Sequence, residues 1–135
     1  MSEELERSAR RAMACKAFRW MPGMRVWCGE RESPLRFVGP RVGHEPVARV
    51  DGPAPPGIPF RYVYVPDLAD AATLGCLIKT AVGLLDAIDE AGGSTITRRA
   101  SLAAAVADYI TGASDSNTLA AAIVASLEAA SEVAP

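Results

Sequence analysis

The stretch DLADAATLGCLIKTAVGLLDAIDEA (67–91) decides the fold, because it carries the clearest helical pattern in the chain. Its apolar residues recur at spacings of three and four, which predicts a helix with one broad buried face. Asp67 or Asp70 can cap the start of this helix, and Gly92 with Gly93 ends it. We predict that the following side chains share one core: Trp20, Leu74, Leu77, Ile78, Val82 and Leu85.

Two glycines interrupt this helical pattern. Gly75 and Gly83 each cost about 1 kcal/mol relative to Ala inside a helix. We expect the close approach of another backbone to compensate, and we assign that backbone to the end of the helix near residues 14–21. On this interpretation, the substitution Gly75→Ala destabilises the protein through steric overlap.

The region upstream is predicted to hold one helix and several strands. Residues 2–20 have helical spacing, Ser2 is a suitable N-cap, and Pro22 stops the helix. Residues 24–65 are predicted to be extended and rich in loops. The strand candidates are 24–27, 35–38, 46–50 and 60–65, and a Pro-rich loop at 51–59 lies among them.

The last third of the chain is rich in Ala and is predicted to add two helices. Residues 94–97 indicate a short strand, and Ser101 can cap a helix at 102–112, with a strand at 106–110 as the alternative. A final helix is predicted at 117–133. These elements together predict an α+β fold in a single domain (1–135), with two to four helices packed on a small, mostly antiparallel sheet.

The composition is typical of a globular protein, since half of the residues are apolar and 22% are charged. No apolar run approaches the length of about 18 residues that crosses a membrane. The acidic N-terminus also lacks the apolar segment of a secretion signal. The sequence therefore predicts a cytoplasmic protein, in a bacterium or an infected host, without membrane contact.

Two segments resemble a known family. They are ACKAFRWMPGM (14–24) and DLADAATLGCL (67–77), which match patterns of the form ACK-x-x-RWMPGM and D-P-A-T-x-G-C-L. In these segments the chain is similar to small uncharacterised proteins from tailed phages and prophages of high-GC bacteria. Ala71 stands where that family usually has Pro, and the resemblance fades after about the first 90 residues. The resemblance implies a phage or prophage origin and no particular reaction.

The chain lacks the residue patterns of common catalytic and metal sites. Cys15, Cys28 and Cys76 have neither C-x2-C nor C-x4-C spacing, so we do not expect a zinc site with His44. We expect Cys15 and Cys76 to pack as reduced thiols between their helices, near Gly75. His44 is the only histidine, and no G-x-S-x-G elbow or Gly-rich phosphate loop is present. We therefore predict no catalytic, cofactor-binding or metal-binding residue.

Charge is distributed unevenly along the chain. Residues 1–61 hold 11 Lys and Arg against 7 Asp and Glu, whereas residues 62–135 hold 3 against 9. The basic half could contact phosphates, or the two halves could attract each other. The candidate contacts for nucleic acid or a protein partner are Arg10, Arg11, Arg19, Arg25, Arg31, Ile58 and Phe60.

Two details favour a protein partner over nucleic acid. The pI of the whole sequence is about 5.4, which is low for a nucleic-acid-binding protein. We also expect Arg10 and Arg11 to pair with acidic groups rather than to form one basic face. An apolar partner surface is predicted around Ile58 and Phe60 or along the last helix. In the last helix, the residues concerned could equally be core or a homodimer seam: Leu119, Ile123 and Leu127.

The sequence thus leaves three functional hypotheses open. The first is a non-enzymatic, phage-type accessory protein that binds a host or phage protein, or a second copy of itself. The second is a nucleic-acid-binding protein that uses the Arg-rich N-terminal half. The third is an enzyme with no recognisable motif. No cofactor is expected.

Overall fold

The described part of the protein combines four helices with four short strands. The computed structural model describes residues 2–28, 37–40, 48–50 and 64–133. The helices in these ranges are α1 (Glu3–Ala14), α2 (Ala71–Glu90), α3 (Ile96–Ile110) and α4 (Ser116–Val133). The strands are β1 (Val26–Cys28), β2 (Phe37–Pro40), β3 (Ala48–Val50) and β4 (Tyr64–Pro66). The α+β class is confirmed in this broad form, although helix predominates.

The strands form two separate antiparallel pairs rather than one small sheet. β1 pairs with β4, so that Trp27 faces Val65 and Cys28 faces Tyr64. β2 pairs with β3 through an irregular register between Phe37 and Gly39. Each of the four strand candidates between residues 24 and 65 overlaps one of these strands. The Pro-rich loop at 51–59 lies outside the described residues.

Helix α4 is the centre of the helical part, because it packs against α1, α2 and α3. Its side chains Leu119, Ile123 and Leu127 are fully buried. The prediction of a final helix at 117–133 is confirmed to within one residue at its start. The idea that these three side chains form an exposed partner surface or a homodimer seam is wrong, because they fill the core of one chain.

The prediction that six side chains share one core is confirmed for four of them and wrong for Leu85 and Val82. Leu74 and Leu77 are fully buried in the main core, and Trp20 and Ile78 are partly buried against it. Leu85 is also fully buried, but it lies in a smaller cluster with Ile88 and Ala130. The prediction that Val82 belongs to the core is wrong, since its exposure is 36%. The helix turns Ala81 inward in its place, and successive residues on a helix point about 100° apart.

Helix α1 is shorter than predicted. Ser2 caps it as expected, since its Oγ accepts a hydrogen bond from Leu5 N at 3.2 Å. The helix ends at Ala14 rather than near residue 20, and Cys15 is already extended. Trp20 therefore reaches the core from a turn, where it packs edge-to-face on Phe18 with the ring centroids 5.5 Å apart.

Helix α3 begins six residues earlier than the sequence pattern predicts. Residues 94–97 do not form a strand, because Thr95 is the N-cap and α3 runs from Ile96. The alternative strand at 106–110 is also wrong, since these residues are helical. Ser101 is therefore an interior residue of α3 and not its cap. The β-branched residues at 95–97 favour a strand by local preference, but tertiary contacts override that preference here.

The glycines inside α2 do not touch another backbone. Apart from its own helix, no atom of the described residues lies within 4 Å of a Cβ added at Gly75 or Gly83, and both residues are exposed. The predicted close approach at Gly75 is therefore wrong. The end of α1 does not approach Gly75 closely, because α1 and α2 each pack on α4 and make little contact with each other.

The ends of α2 follow the predicted signals. Asp70 is the N-cap, and its carboxylate accepts a hydrogen bond from Thr73 N at 3.0 Å. At the other end, Gly92 adopts a φ of +91°, which is the left-handed conformation that favours glycine. Gly93 N then donates to Ile88 O at 2.9 Å. Gly92 N also donates to Asp89 O at 3.0 Å, and these two bonds form a Schellman-type cap.

Helix α2 is long and apolar enough to cross a membrane, judged by length and composition alone. Charged residues such as Lys79 and Asp86 interrupt its apolar residues, and the expectation of no membrane contact stays a prediction. The core helix of a soluble protein passes the same test, and α2 buries Leu74, Leu77, Ala81 and Leu85 inside the protein. The length of α2 consequently carries no argument about where the protein resides.

Candidate functional site

A polar junction joins Arg25, the residue after the segment 14–24, to the start of α2 in the segment 67–77. Arg25 N donates a 2.7 Å hydrogen bond to Oγ1 of Thr73, a side chain with no exposed surface. Thr73 Oγ1 in turn donates to Asp70 Oδ2 at 2.8 Å. Thr73 thereby links Arg25, the residue before β1, to the cap of α2.

A second set of bonds closes the same junction. Asp67 N donates to Arg25 O at 2.9 Å, and the Arg25 guanidinium lies 3.5 Å from Asp67 Oδ2. The other carboxylate oxygen of Asp67 accepts from Ala69 N at 3.0 Å. Met24 is fully buried directly beside these groups. Every named polar atom of this junction is used in holding the chain together, which indicates a structural role for the junction.

Two arginines of α1, Arg10 and Arg11, are paired with carboxylates. Arg10 Nη2 lies 2.9 Å from Oε1 of Glu6, one turn earlier on the same helix. Arg11 forms an ion pair with Glu128 of α4, so it ties the basic half to the acidic half. The prediction that both arginines pair with acidic groups is confirmed. Both pairs are exposed, and exposed pairs contribute about 0–1 kcal/mol to stability.

The remaining candidate contacts are placed as follows. Arg19 Nη1 donates to the carbonyl oxygens of Lys16 and Phe18 at 2.8 and 2.7 Å, so its guanidinium braces the turn after α1. The Arg25 guanidinium faces Asp67 at the junction. Arg19 and Arg25 are therefore each held by groups of their own chain, as Arg10 and Arg11 are. The other three candidates lie outside the described residues: Arg31, Ile58 and Phe60.

Cys15 and Cys76 are half-buried free thiols. Burial raises the pKa of both thiols, and the nearby carboxylate of Glu128 adds to this effect at Cys15. A raised pKa leaves less thiolate at neutral pH, and the thiolate is the reactive form. The predicted packing of the two thiols between their helices is wrong, because Cys15 lies past the end of α1 and faces Glu128 and Ser131 of α4.

No group of three or more His, Cys, Asp or Glu side chains in the described ranges is arranged to hold a metal ion. His44 lies outside those ranges, as does the side chain of Cys28. The expected lack of zinc therefore stays a prediction.

A polar cluster joins the end of α2 to the start of α3. Thr95 Oγ1 donates to Asp89 at 2.8 Å, and Arg99 lies 2.6 Å from Asp86 and 2.9 Å from Asp89. The hydrogen bond from Thr95, followed by the bonds from Arg99, holds the pKa of the Asp89 carboxyl below its ordinary value. Asp89 is consequently ionised at neutral pH and poorly suited to proton transfer there.

Two cavities open beside α4. One has a volume of about 500 Å³ and lies between α3 and α4, with Leu102 and Ala122 among its apolar walls and Arg98 at its rim. The other, of about 540 Å³, lies beside Cys15 and the Arg11–Glu128 pair. The second cavity places the Cys15 thiol near the Glu128 carboxylate, but Glu128 is already paired with Arg11, and the raised pKa of the thiol disfavours the reactive thiolate.

The most exposed large apolar side chains of the described chain lie on α3. Ile96 and Ile110 have exposures of 79% and 75%, whereas the next two, Met13 and Val82, have 37% and 36%. Exposed alanines connect the two isoleucines along one side of the helix. We define the α3 outer face by these five residues: Ile96, Ala100, Ala103, Ala107 and Ile110. Their spacings of four and three residues place them in one stripe.

The sequence did contain a signal for this face, but the predicted boundary concealed it. Ile96 falls in the strand predicted at 94–97, so the predicted helix begins only at residue 102. Because α3 begins at Ile96, the apolar stripe extends over four turns of the helix.

Comparisons with known proteins identify no related protein for this site. No family model, no curated protein and no solved structure matches the chain. The phage-type resemblance of the first 90 residues therefore stays a prediction.

Proposed function

We propose that this protein is a non-enzymatic, phage-type accessory protein that binds another protein in the cytoplasm, and that the α3 outer face makes the contact. The exposure of Ile96 and Ile110 carries this proposal. Removing an isoleucine side chain from water is favourable by about 1.5–3 kcal/mol, so this face gains free energy when a partner covers it.

The shape of the face suits a helical partner. The stripe repeats at four and three residues, which is the spacing by which one helix packs along another. The small side chains between the two isoleucines allow close approach of a partner backbone, and the isoleucines at the ends supply most of the apolar area. A helix or a groove-forming pair of helices on a host or phage protein fits this description.

The chemistry of the other groups supports a binding role over catalysis. Asp89 is held ionised by its hydrogen bonds, and the raised pKa values of Cys15 and Cys76 disfavour thiolates. Pairing of Arg10 and Arg11 with carboxylates also reduces the positive charge available to phosphates. These observations favour a protein partner over both a substrate and nucleic acid.

The test is affinity capture from phage-infected host lysate, with and without nuclease, using the wild-type chain and Ile96→Glu/Ile110→Glu. We expect one or more proteins to be retained by the wild type, independently of nuclease, and lost with the double variant. The matched control is Met13→Glu/Val82→Glu, which adds the same charge at the next most exposed apolar positions and should retain the partner.

Two outcomes contradict the proposal. Equal capture by the wild type and Ile96→Glu/Ile110→Glu would move the contact away from α3. Capture that disappears with nuclease would favour nucleic-acid binding through the basic half. Circular dichroism of each variant establishes that lost binding is not lost folding.

A further inference from the structure

We infer that the α3 outer face also binds a second copy of this chain, with the two α3 helices antiparallel about a two-fold axis at Ala103. This inference rests on the proposed use of that face for protein contact. A two-fold interface joins the same patch on both copies, so the patch must be complementary to itself. The pattern, the charge and the area of the α3 outer face each bear on that requirement.

The pattern is nearly symmetric about its centre. Ile96 and Ile110 each lie seven residues from Ala103, or about 10.5 Å along the helix axis. In an antiparallel pair centred on Ala103, Ile96 of one copy lies beside Ile110 of the other. Small residues at the crossing point allow axes about 8 Å apart, and the longer isoleucines fill the space where crossing helices diverge.

The charge distribution removes the main obstacle to self-association. A two-fold axis brings each residue near the axis close to its own copy, so a charge there would meet a like charge. Residues 100–107 carry no charged side chain. The nearest guanidinium on the flank, that of Arg99, is already paired with Asp86 and Asp89 of its own chain. Antiparallel helices also place opposite dipole ends together.

The area sets the expected strength. The 15 residues of α3 make a helix about 22 Å long and about 11 Å across, so half of its lateral surface is roughly 400 Å². Two copies would bury about 800 Å² in total, below the roughly 1,200 Å² at which specific stable interfaces begin. The second copy is therefore bound weakly, in a concentration-dependent dimer that a partner protein can displace.

Sedimentation equilibrium of the full chain, from about 10 µM to about 1 mM, measures the dimer directly. We expect the average mass to rise from the 14.2 kDa of one chain toward twice that value. Ile96→Glu/Ile110→Glu should remain monomeric throughout, and Met13→Glu/Val82→Glu should behave like the wild type. A wild-type monomer at every concentration overturns the inference.

Disulfide cross-linking tests the orientation. Ala103→Cys, oxidised with copper–phenanthroline, should form a dimer linked at the substituted position. Ile96→Cys and Ile110→Cys should cross-link when mixed and not when alone, because only an antiparallel pair brings these two positions together. Ala121→Cys, at an exposed alanine of α4, is the control and should not cross-link. Cross-linking of Ile96→Cys to itself would show a parallel pair and overturn the antiparallel axis.

The failure of this inference and the failure of the proposed function are distinguishable. A monomeric wild type whose captured partner is lost with Ile96→Glu/Ile110→Glu overturns only the dimer. Both proposals are overturned if the wild type does not dimerise and if Ile96→Glu/Ile110→Glu captures the same partner as the wild type.

Discussion

The glycines of α2 allow a quantitative test of how this helix sits in the fold. Gly75 and Gly83 are exposed, and a Cβ at either position would meet no atom of the described residues within 4 Å outside α2 itself. Substitution by Ala therefore costs no steric overlap and recovers the helix propensity that glycine forgoes, about 1 kcal/mol at each site. The two sites are eight residues, or about 12 Å, apart along the helix, so their effects should add. We expect Gly75→Ala/Gly83→Ala to stabilise the protein by about 2 kcal/mol.

Thermal and urea unfolding followed by circular dichroism measure this effect. A gain of about 2 kcal/mol should raise Tm by roughly 6–10 °C for a chain of this size. Gly92→Ala is the matched control, because the φ of +91° at Gly92 makes any side chain unfavourable there by about 1–2 kcal/mol. A lower Tm for Gly75→Ala/Gly83→Ala would refute the reasoning, since it would mean that another backbone does approach this face of α2.

Three further changes test the core, the junction and the acidic cluster. Leu77→Ala should cost about 2–5 kcal/mol in urea unfolding, because Leu77 is fully buried. Thr73→Val should cost about 1–3 kcal/mol, since it leaves the Arg25 amide without the acceptor it has at 2.7 Å. Asp89, whose pKa is lowered by Thr95, stabilises the fold above its unfolded pKa of about 3.9 and loses that contribution as pH falls through its folded value. Melting curves of the wild type should therefore fall more steeply below about pH 4 than those of Asp89→Asn.

The helices that pack on the centre of the fold could be predicted from the sequence. The pattern of α4, with Leu119, Ile123 and Leu127, is regular because a single side of the helix is buried among three neighbours. The apolar stripe of α2 was equally clear but broader than the face that is buried. Local spacing does not determine which edge of a broad stripe turns inward, and packing on α4 selects Ala81 over Val82.

The start of α3 could not be predicted, because distant groups determine it. Thr95 does not use its hydroxyl to cap the helix and instead donates it to Asp89 of α2. Arg99 adds bonds from the first turn of α3 to Asp86 and Asp89. No short-range rule connects these residues across the loop after α2, so the β-branched residues at 95–97 dominated the local signal. The predicted helix therefore excluded Ile96, which forms one end of the α3 outer face.

Substitutions on the α3 outer face can change binding without changing folding, which substitutions of the buried part of α3 cannot do. Leu102 is the fully buried side chain of this helix, so its loss would weaken folding and binding together. Ile96 and Ile110 are mostly in water in the single chain, and acidic substitutions there remove little buried apolar area. Surface changes of this kind usually alter stability by less than about 0.5 kcal/mol. A loss of partner or of dimer in Ile96→Glu/Ile110→Glu, with unchanged unfolding, would therefore report contact through this face alone.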